Sequence, residues 1–294
     1  MMTRTVLITG CSSGIGRESA LRFQREGWNV IASMRTPADE KELVNLSNVI
    51  CPALDVTQET TIRDAIAEGL HAFGNIDAVI NNAGYGLIGP FEAFTADQIN
   101  RQFQTDVLGL MAVTREILPH FRQRRSGLVI NVASFAGRSI FPLYSVYHAS
   151  KWAVEGFCDS LQYEVSSYGI QIKIIEPGLV KTEFWGRSTD RENRTGIKAY
   201  DKEARPVLDL IDNAAGLFAT KPEDVADTIW NAANDGNNRL RYVVGVDAHT
   251  TLLARKVLTD KLYRGIMKTV FSPSSVSMLQ KFSGKLQKMG NDAF

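Results

Sequence analysis

The chain has 294 residues, 44% of them hydrophobic, which is enough to bury one large core. Its 33 basic and 32 acidic residues leave a formal net charge of +1, so charge gives no support for a nucleic-acid partner. The three cysteines fit neither a disulfide framework nor a zinc site, the four histidines show no ligand spacing, and no apolar run is long enough to span a membrane. With no secretory signal in view, we expect a cytoplasmic protein with no metal.

The first predicted element is a strand that runs straight into a glycine-rich turn. Thr5-Val-Leu-Ile-Thr9 is a short β-rich apolar run, Gly10-Cys-Ser-Ser-Gly-Ile-Gly16 follows it, and an amphipathic helix ends near Gly27. The amides of such a turn and the positive end of the helix suit a pyrophosphate. The glycine spacing, G-x-x-x-G-x-G, meets the dinucleotide-binding fingerprint only loosely.

The same turn also matches the nucleophile elbow of serine hydrolases. Gly10-Cys-Ser-Ser-Gly14 has the pattern G-x-S-x-G. The turn follows the first strand of the chain, so no earlier strand supplies an oxyanion-hole loop, and no His-Gly-Gly stretch is present. We therefore set the hydrolase interpretation aside.

The end of the second strand, residues 29–34, bears on the choice of cofactor. NAD enzymes usually carry an acidic residue there for the ribose 2′-hydroxyl. Here Met34-Arg35-Thr36 follows, and no acidic residue occurs before Asp39. A guanidinium at Arg35 suits a 2′-phosphate, although a plain surface arginine would look the same. This pattern favours NADP over NAD.

Strands and helices alternate through the first two-thirds of the chain. The further predictions are strands at 49–56, 78–81, 128–132, 171–175 and 241–245, and helices from Thr57 to Phe73, from the capping box Thr95–Gln98 to Arg124, through Tyr147 to about Ser167, and after Thr220–Glu223. Such alternation is typical of a three-layer α/β/α fold with a doubly wound parallel sheet. Right-handed crossovers then bring the turns at Gly10–Gly16, Arg35, Asp55, Asn82, Ser134 and Pro177 to one crevice.

Three polar side chains beside this crevice are candidates for acid–base chemistry. Tyr147 and Lys151 are four residues apart, so a helix places them on one face, and an ammonium near a phenol lowers the pKa of the phenol. Ser134 follows a strand and can hydrogen-bond a substrate oxygen while Tyr147 transfers a proton. A solvated Tyr–Lys pair on any helix is the alternative.

The last third of the chain is less regular in pattern. Residues 184–219 are polar and predict either a substrate lid or an ordinary surface insertion within a domain spanning 1–248. Residues 249–294 predict a helical extension packed on that domain, with Leu252, Leu253, Val257, Leu258 and Leu262 in its first helix. Few and mixed charges favour a packing or oligomer face over a membrane surface.

As a set, these motifs resemble the short-chain dehydrogenase/reductase family. The matching pieces are Thr9–Gly16, Asn81-Asn-Ala-Gly84, Ser134, Tyr147-x-x-x-Lys151 and Pro177-Gly178, in the family's order and across about residues 4–247. The resemblance implies a Rossmann-type fold and hydride transfer to or from a nicotinamide. It implies that Tyr147 is the general acid/base, that Lys151 binds the nicotinamide ribose, and that Ser134 orients the substrate carbonyl.

The resemblance also implies where the dinucleotide binds. The cofactor-binding residues it predicts are Gly10, Ser12, Ser13, Gly14, Ile15, Gly16, Arg35, Asp55, Val56, Asn82, Ala83, Gly84, Tyr147, Lys151, Pro177, Gly178, Val180 and Thr182. The local wording is most similar to the branch that holds 17β-hydroxysteroid and retinol dehydrogenases, which mostly use NADP(H). Family habit implies a homodimer or homotetramer.

One residue departs from the family pattern. Asp106 stands where the family usually has an Asn that supports a proton-relay water, and a carboxylate there is expected to bind Lys151 and raise its pKa. Asp106 is the basis of the rival interpretation, a non-catalytic NADP(H) sensor. Aromatic and aliphatic residues near the crevice, namely Phe135, Phe141, Leu143 and Trp185, favour an apolar carbonyl or alcohol substrate.

Overall fold

A computed structural model describes residues 3–182, 189–191, 197–272 and 275. The strands are β1 (Thr5–Thr9), β2 (Asn29–Ser33), β3 (Val49–Ile50), β4 (Ala78–Asn81), β5 (Gly86–Ile88), β6 (Gly127–Val132), β7 (Ile170–Pro177), β8 (Thr189–Arg191) and β9 (Arg241–Val244). Seven of them form a parallel sheet in the order β3-β2-β1-β4-β6-β7-β9, and β5 pairs separately with β8.

Helices cover both faces of the seven-stranded sheet. They are α1 (Gly14–Arg25), α2 (Glu59–Phe73), α3 (Ala96–Phe103), α4 (Leu110–Arg124), α5 (Ser145–Val165), α6 (Asp201–Phe218), α7 (Pro222–Asn234), α8 (Val246–Val257) and α9 (Asp260–Val270). Leu7 of β1 joins the core under α2, α4 and α5, whereas its neighbours Val6 and Ile8 join the core under α1 and α7. Alternate residues of one buried strand thus face opposite layers. The predicted three-layer, doubly wound fold is confirmed.

The strand order reverses between β1 and β4. Chain progress from β1 leads outward to β2 and β3, and from β4 it leads the other way to β6 and β7. In open parallel sheets the crevice for ligands lies outside the carboxyl ends of the strands at this switch point. The turns that follow β1, β4, β6 and β7 therefore meet at one edge.

The predicted helix from 95 to 124 is interrupted. The capping box at its start is confirmed, since Thr95 and Gln98 exchange backbone and side-chain hydrogen bonds. Between α3 and α4, however, residues Gln104–Gly109 form a π-helical segment. A local sequence pattern does not indicate this wider turn, because the residues that pack against it, such as Val56, are distant in the chain. Gly109 lies so close to Val56 that a Cβ there would be 2.7 Å from its Cγ2.

Three predicted boundaries were wrong. The third strand stops at Ile50 rather than Val56, because Pro52 carries no amide for the ladder and a single bridge from Met34 to Ala53 is all that follows. Helix α2 has Gln58 as its N-cap, and the Thr57 hydroxyl instead donates to Asp55 Oδ1. Thr220 does not cap α7; its amide pairs with the Leu179 carbonyl.

Part of the segment after β7, predicted to be irregular, forms a helix. Residues 201–218 form α6, whereas 183–188 and 192–196, including Trp185, lie outside the described residues. Whether 184–219 acts as a lid stays a prediction.

The C-terminal helices pack against the sheet's carboxyl edge on one side. Helix α8 starts at Val246, and its Ala248 and Leu252 pack with Phe135. The sequence predicts Leu258 and Leu262 in the same helix as Leu252, but Leu258 is the C-cap of α8 and Leu262 lies in α9. Leu253 and Val257 are in α8 but are exposed. No helix in the described ranges has the length and apolarity needed to cross a membrane.

Candidate active site

A cavity of about 1210 Å³, called here the central cavity, lies at the carboxyl edge of the sheet. Most of the predicted site residues line it: Gly10, Ser12, Ser13, Gly14, Ile15, Arg35, Asp55, Val56, Asn82, Ala83, Gly84, Ser134, Tyr147, Lys151, Pro177, Gly178, Val180 and Thr182. Gly16 and Asp106 do not line it. The structure therefore brings together turns that follow six different strands.

The glycine turn has the form of a phosphate cradle. Gly10 and Gly14 have φ angles of 75° and 57°, which favour glycine. A Cβ on Gly10 would lie 3.0 Å from Ala83 Cα, and one on Gly14 would lie 3.2 Å from Thr182. Ser13 makes no side-chain capping bond at the start of α1, whose first turn holds no acidic residue. The volume of the cavity, the N-terminus of α1 and the accessible backbone of the glycine turn all fit the pyrophosphate of a dinucleotide.

Gly16 lies behind the cavity wall, in close contact with Asn82 on the wall. A Cβ on Gly16 would lie 2.4 Å from both the Asn82 side-chain nitrogen and the Gly10 carbonyl. Asn82 Nδ2 donates to the carbonyls of Thr9 and Gly10 at 2.9 and 3.2 Å. Thr9, which the sequence analysis did not single out, accepts from the amides of Asn82 and Ala83 at 3.0 Å each. These bonds fix the glycine turn against the turn after β4.

Ser134, Tyr147 and Lys151 lie close together on the opposite wall. Lys151 Nζ is 5.7 Å from the centre of the Tyr147 ring and 3.4 Å from the Val132 carbonyl oxygen. Ser134 Oγ accepts from the Ala136 amide at 3.1 Å, and the Ser134 hydroxyl is hydrogen-bonded with that of Tyr147. Helix α5 supplies Tyr147 and Lys151 on one face, and the end of β6 supplies Ser134.

Tyr147 does not have the lowered pKa that the Tyr–Lys spacing predicts. Burial raises the pKa of its phenol and the Asp106 carboxylate raises it further, against the opposing effects of Lys151 and Ser134. The sign of the lysine effect is as expected, but the net prediction is wrong because it took no account of desolvation.

Asp106 forms a buried ion pair with Lys151. Lys151 Nζ lies 3.3 Å from Asp106 Oδ2, and Asp106 Oδ1 accepts from the Tyr85 amide at 3.1 Å. Burial alone would lower the pKa of Lys151, but Asp106 and Tyr147 raise it overall, as expected from the sequence. Burial raises the pKa of Asp106 despite the pull of Lys151. The π-helical segment sets this contact, since it carries Asp106.

Two further polar residues that the sequence analysis passed over position the site. Gln102 is fully buried; its Oε1 accepts from the Leu87 amide at 2.7 Å and its Nε2 donates to the Tyr85 carbonyl at 3.0 Å. His148 lies 2.8 Å from the Ala136 carbonyl through Nδ1 and accepts from the Phe141 amide through Nε2 at 3.1 Å. Burial lowers the pKa of His148. The only feature of the sequence that could have indicated a role for His148 is its position next to Tyr147.

The side of the central cavity where the sequence predicts the substrate, called here the substrate side, carries aromatic side chains. Phe135 and Phe141 line it, and Leu143 packs in a cluster with Tyr147, Tyr144 and Val207. Tyr144, also unpredicted, lies edge-on to Phe141 at 4.6 Å between ring centres. On the cofactor side Arg35 is exposed at the wall. The described part of the chain contains no cluster of residues suited to hold a metal ion.

Comparison with known proteins agrees with this geometry. The sequence model of the short chain dehydrogenase family matches residues 4–193. An uncharacterized oxidoreductase of Schizosaccharomyces pombe is 36% identical over 212 residues, which cover 72% of this chain and 88% of the relative.

Solved structures give the same result. A short-chain dehydrogenase from Streptomyces avermitilis superposes with a TM-score of 0.79 at 30% identity, covering 91% of this chain and 96% of the other. The protein ElxO with NADP bound has a TM-score of 0.70 at 28% identity, covering 86% and 100%. The chain belongs to the short-chain dehydrogenase/reductase family and is an NAD(P)-dependent oxidoreductase.

Proposed function

We propose that the protein is an NADP(H)-dependent carbonyl reductase or secondary-alcohol dehydrogenase for an apolar substrate. The observation that carries the proposal is the shared cavity: Ser134, Tyr147 and Lys151 line the same space as the glycine turn. A hydride donor held by that turn and a carbonyl held by Ser134 would meet beside the phenol. General acid–base catalysis needs a group within hydrogen-bond reach of the reacting oxygen, which this arrangement provides.

Each of the three side chains has a distinct part. A bound nicotinamide supplies or accepts the hydride at the substrate carbon. Ser134 donates a hydrogen bond to the substrate oxygen, and Tyr147 gives its phenolic proton to that oxygen as the alcohol forms. Lys151 stabilises the phenolate that remains, and a proton from solvent restores the phenol. The raised pKa of Tyr147 keeps the phenol protonated at neutral pH, which suits the reducing direction.

The preference for NADP(H) is inferred from the residues on the side of the central cavity that carries Arg35. Arg35 and Ser12 both line it, and a guanidinium with a hydroxyl suits a 2′-phosphate. Glu40, also on the wall, is already paired with Arg17 at 2.7 Å and accepts the amides of Glu42 and Leu43. This engagement of Glu40 supports NADP(H) over NAD(H).

The apolar substrate side supports a bulky hydrophobic carbonyl compound, of which steroid- and retinoid-like molecules are examples. The small-molecule partner, the homodimer or homotetramer and the cytoplasmic location remain predictions, as do the domain boundaries at 248 and 249.

Replacing Tyr147 by Phe tests the mechanism. We expect the Tyr147→Phe variant to reduce carbonyl compounds at least about 100-fold more slowly, because the proton donor is lost, while still binding NADPH. Cofactor oxidation is followed with a panel of apolar ketones, with NADPH and NADH in parallel. Tyr163→Phe, an exposed position on the same helix, is the matched control. Unchanged turnover in Tyr147→Phe would end the mechanism. A protein that binds NADPH but consumes none with any ketone would instead be the sensor.

A further inference from the structure

A second cavity lies beside the central one, on its substrate side. It has a volume of about 480 Å³, within the range of small-molecule sites, and is called here the apolar cavity. The loop after Ser139 forms one wall with Ile140 and Leu143, α6 forms another with Ala204 and Val207, and Met267 of α9 closes the third. Among the described residues that line it, Lys268 alone carries a formal charge.

The apolar cavity and the central cavity share one lining residue, an aromatic side chain. Phe141 lines both, and it packs edge-on against Tyr144, whose ring is 6.1 Å from that of Tyr147. Val207, on the far wall, belongs to the same apolar cluster as Tyr147. The side chains between the Tyr147 ring and the apolar cavity are thus aromatic and aliphatic, which favours the apolar end of a molecule whose carbonyl reaches the Tyr147 hydroxyl.

Helix α9 is held in place as part of this wall. Tyr263 of α9 is 2% exposed, so its side chain is packed inside the protein. Phe271, at the end of α9, packs against the cluster that contains Tyr144 and Leu208. By contrast Ile266, next to Met267, is 42% exposed and does not line the cavity. The two neighbouring side chains thus differ in whether they face the cavity.

We propose that the apolar cavity binds the hydrocarbon tail of the substrate, so that the enzyme acts on carbonyl compounds with a long aliphatic or other extended apolar chain. This inference rests on the proposed function, since it takes the carbonyl to lie at Tyr147. Each methylene removed from water then strengthens binding, by about twofold to fourfold when it is well buried. Specificity for chain length would come from α6 and α9, and the reaction itself from Ser134, Tyr147 and Lys151.

A homologous series of methyl ketones, from butanone to decanone, tests the proposal. Dissociation constants are measured by isothermal titration calorimetry on the full chain with NADP⁺ present, where the ketone cannot be reduced. We expect the dissociation constant to fall along the series, and Met267→Trp, which fills the cavity, to reduce the butanone-to-decanone ratio by about tenfold or more. Ile266→Trp adds the same side chain on the solvent side and should keep the wild-type ratio. Ile140→Trp, on the opposite wall, should act like Met267→Trp and serves if that variant does not fold.

The outcomes separate the two proposals. Equal dissociation constants for butanone and decanone in the wild type, or an unchanged ratio in Met267→Trp and Ile140→Trp, would overturn the tail site. The binding ratio does not depend on turnover, so absence of ketone reduction with an intact ratio would count against the proposed function alone.

Discussion

At the scale of single residues, the pair of Asp106 and Lys151 sets this site apart from the family pattern. A neutral amide at position 106 would leave the ammonium charge of Lys151 acting on Tyr147. The carboxylate 3.3 Å away instead compensates that charge, and it also raises the pKa of Tyr147 directly. Both effects hold the phenol in its protonated form. The site is therefore set to donate a proton rather than to accept one.

Asp106→Asn should reverse this bias. Removing the carboxylate removes one influence that raises the pKa of Tyr147 and one that raises the pKa of Lys151. The protonated phenol required for ketone reduction is then lost at a lower pH, so the alkaline limb of kcat/KM for reduction should move to lower pH. Alcohol oxidation, which needs the phenolate, should become several-fold faster at neutral pH.

The measurement is the pH profile of kcat/KM in both directions. Asp97→Asn, an exposed substitution on α3, controls for a general loss of negative charge. An alkaline limb that stays in place or moves upward would show that Asp106 does not act on the phenol.

At the scale of elements, the π-helical segment joins α3, whose Gln102 binds the backbone before and within β5, to α4, which packs on the sheet. Gln102, at the end of α3, binds the backbone of Tyr85 and Leu87, and Asp106 in the segment binds the Tyr85 amide again. Both side chains thus hold the stretch that leads from the turn after β4 into β5. π-Helical turns inside α-helices are frequent at functional sites. Here the turn places Asp106 against Lys151 while α4 keeps its apolar face on the sheet.

Gln102→Leu should destabilise the protein. The substitution replaces the amide by an apolar group of similar size and removes the partners of the buried Leu87 amide and the part-buried Tyr85 carbonyl, which costs about 2 kcal/mol or more of unfolding free energy. Chemical denaturation followed by circular dichroism measures it. Gln162→Leu, whose amide donates only within its own helix, should change the free energy by less than about 0.5 kcal/mol. Equal effects of the two substitutions would mean that the Gln102 bonds contribute nothing.

The elements that sequence predicted well are those with local causes. β1, β4 and α5 follow from apolar runs and helical spacing, and the capping box at Thr95 follows from two side chains three residues apart. The π-helical segment and the β5–β8 pair depend on contacts between distant stretches, so no local pattern indicates them. The direction of the Tyr147 pKa was mispredicted for a related reason, since burial is a property of the folded chain.

At the scale of the whole molecule, a cluster of charged residues connects α5, which carries Tyr147 and Lys151, to strands β7 and β9 of the sheet. Glu155, one helical turn after Lys151, accepts from Arg241 Nε at 2.9 Å. The fully buried Glu176, next to Pro177, accepts from Arg138 at 2.9 and 3.0 Å. Burial, with Glu176 nearby, raises the pKa of Glu155 to about 7, although Arg241 opposes the shift. Asp159 also binds Arg241, and Glu176 Oε1 lies 3.7 Å from Arg241 Nε.

This cluster predicts a pH dependence of stability near neutrality. The folded pKa of Glu155 lies above the ordinary value of 4.5, so the folded state binds more protons between those two values. Its contribution is fully present below about pH 4.5 and is lost as the pH rises through 7, by up to about 3 kcal/mol.

Glu155→Gln should flatten that part of the profile, because a neutral amide does not titrate. Unfolding free energy measured from pH 5 to pH 8 checks it, with the exposed Glu164→Gln on the same helix as control. A wild-type profile that falls no further than that of Glu155→Gln across this interval would contradict the assignment.

The position of α9 has a consequence for how relatives of this chain diverge. The family match ends at residue 193, whereas α6 and α9, which form two walls of the apolar cavity, come afterwards. If the tail site is as proposed, two of its walls come from the last third of the chain, whereas the third wall, with Ile140 and Leu143, and the residues proposed for the chemistry lie within the matched part. Exchanging the residues after 193 for those of a relative is therefore expected to change the preferred chain length of the ketone while Ser134, Tyr147 and Lys151 stay in place.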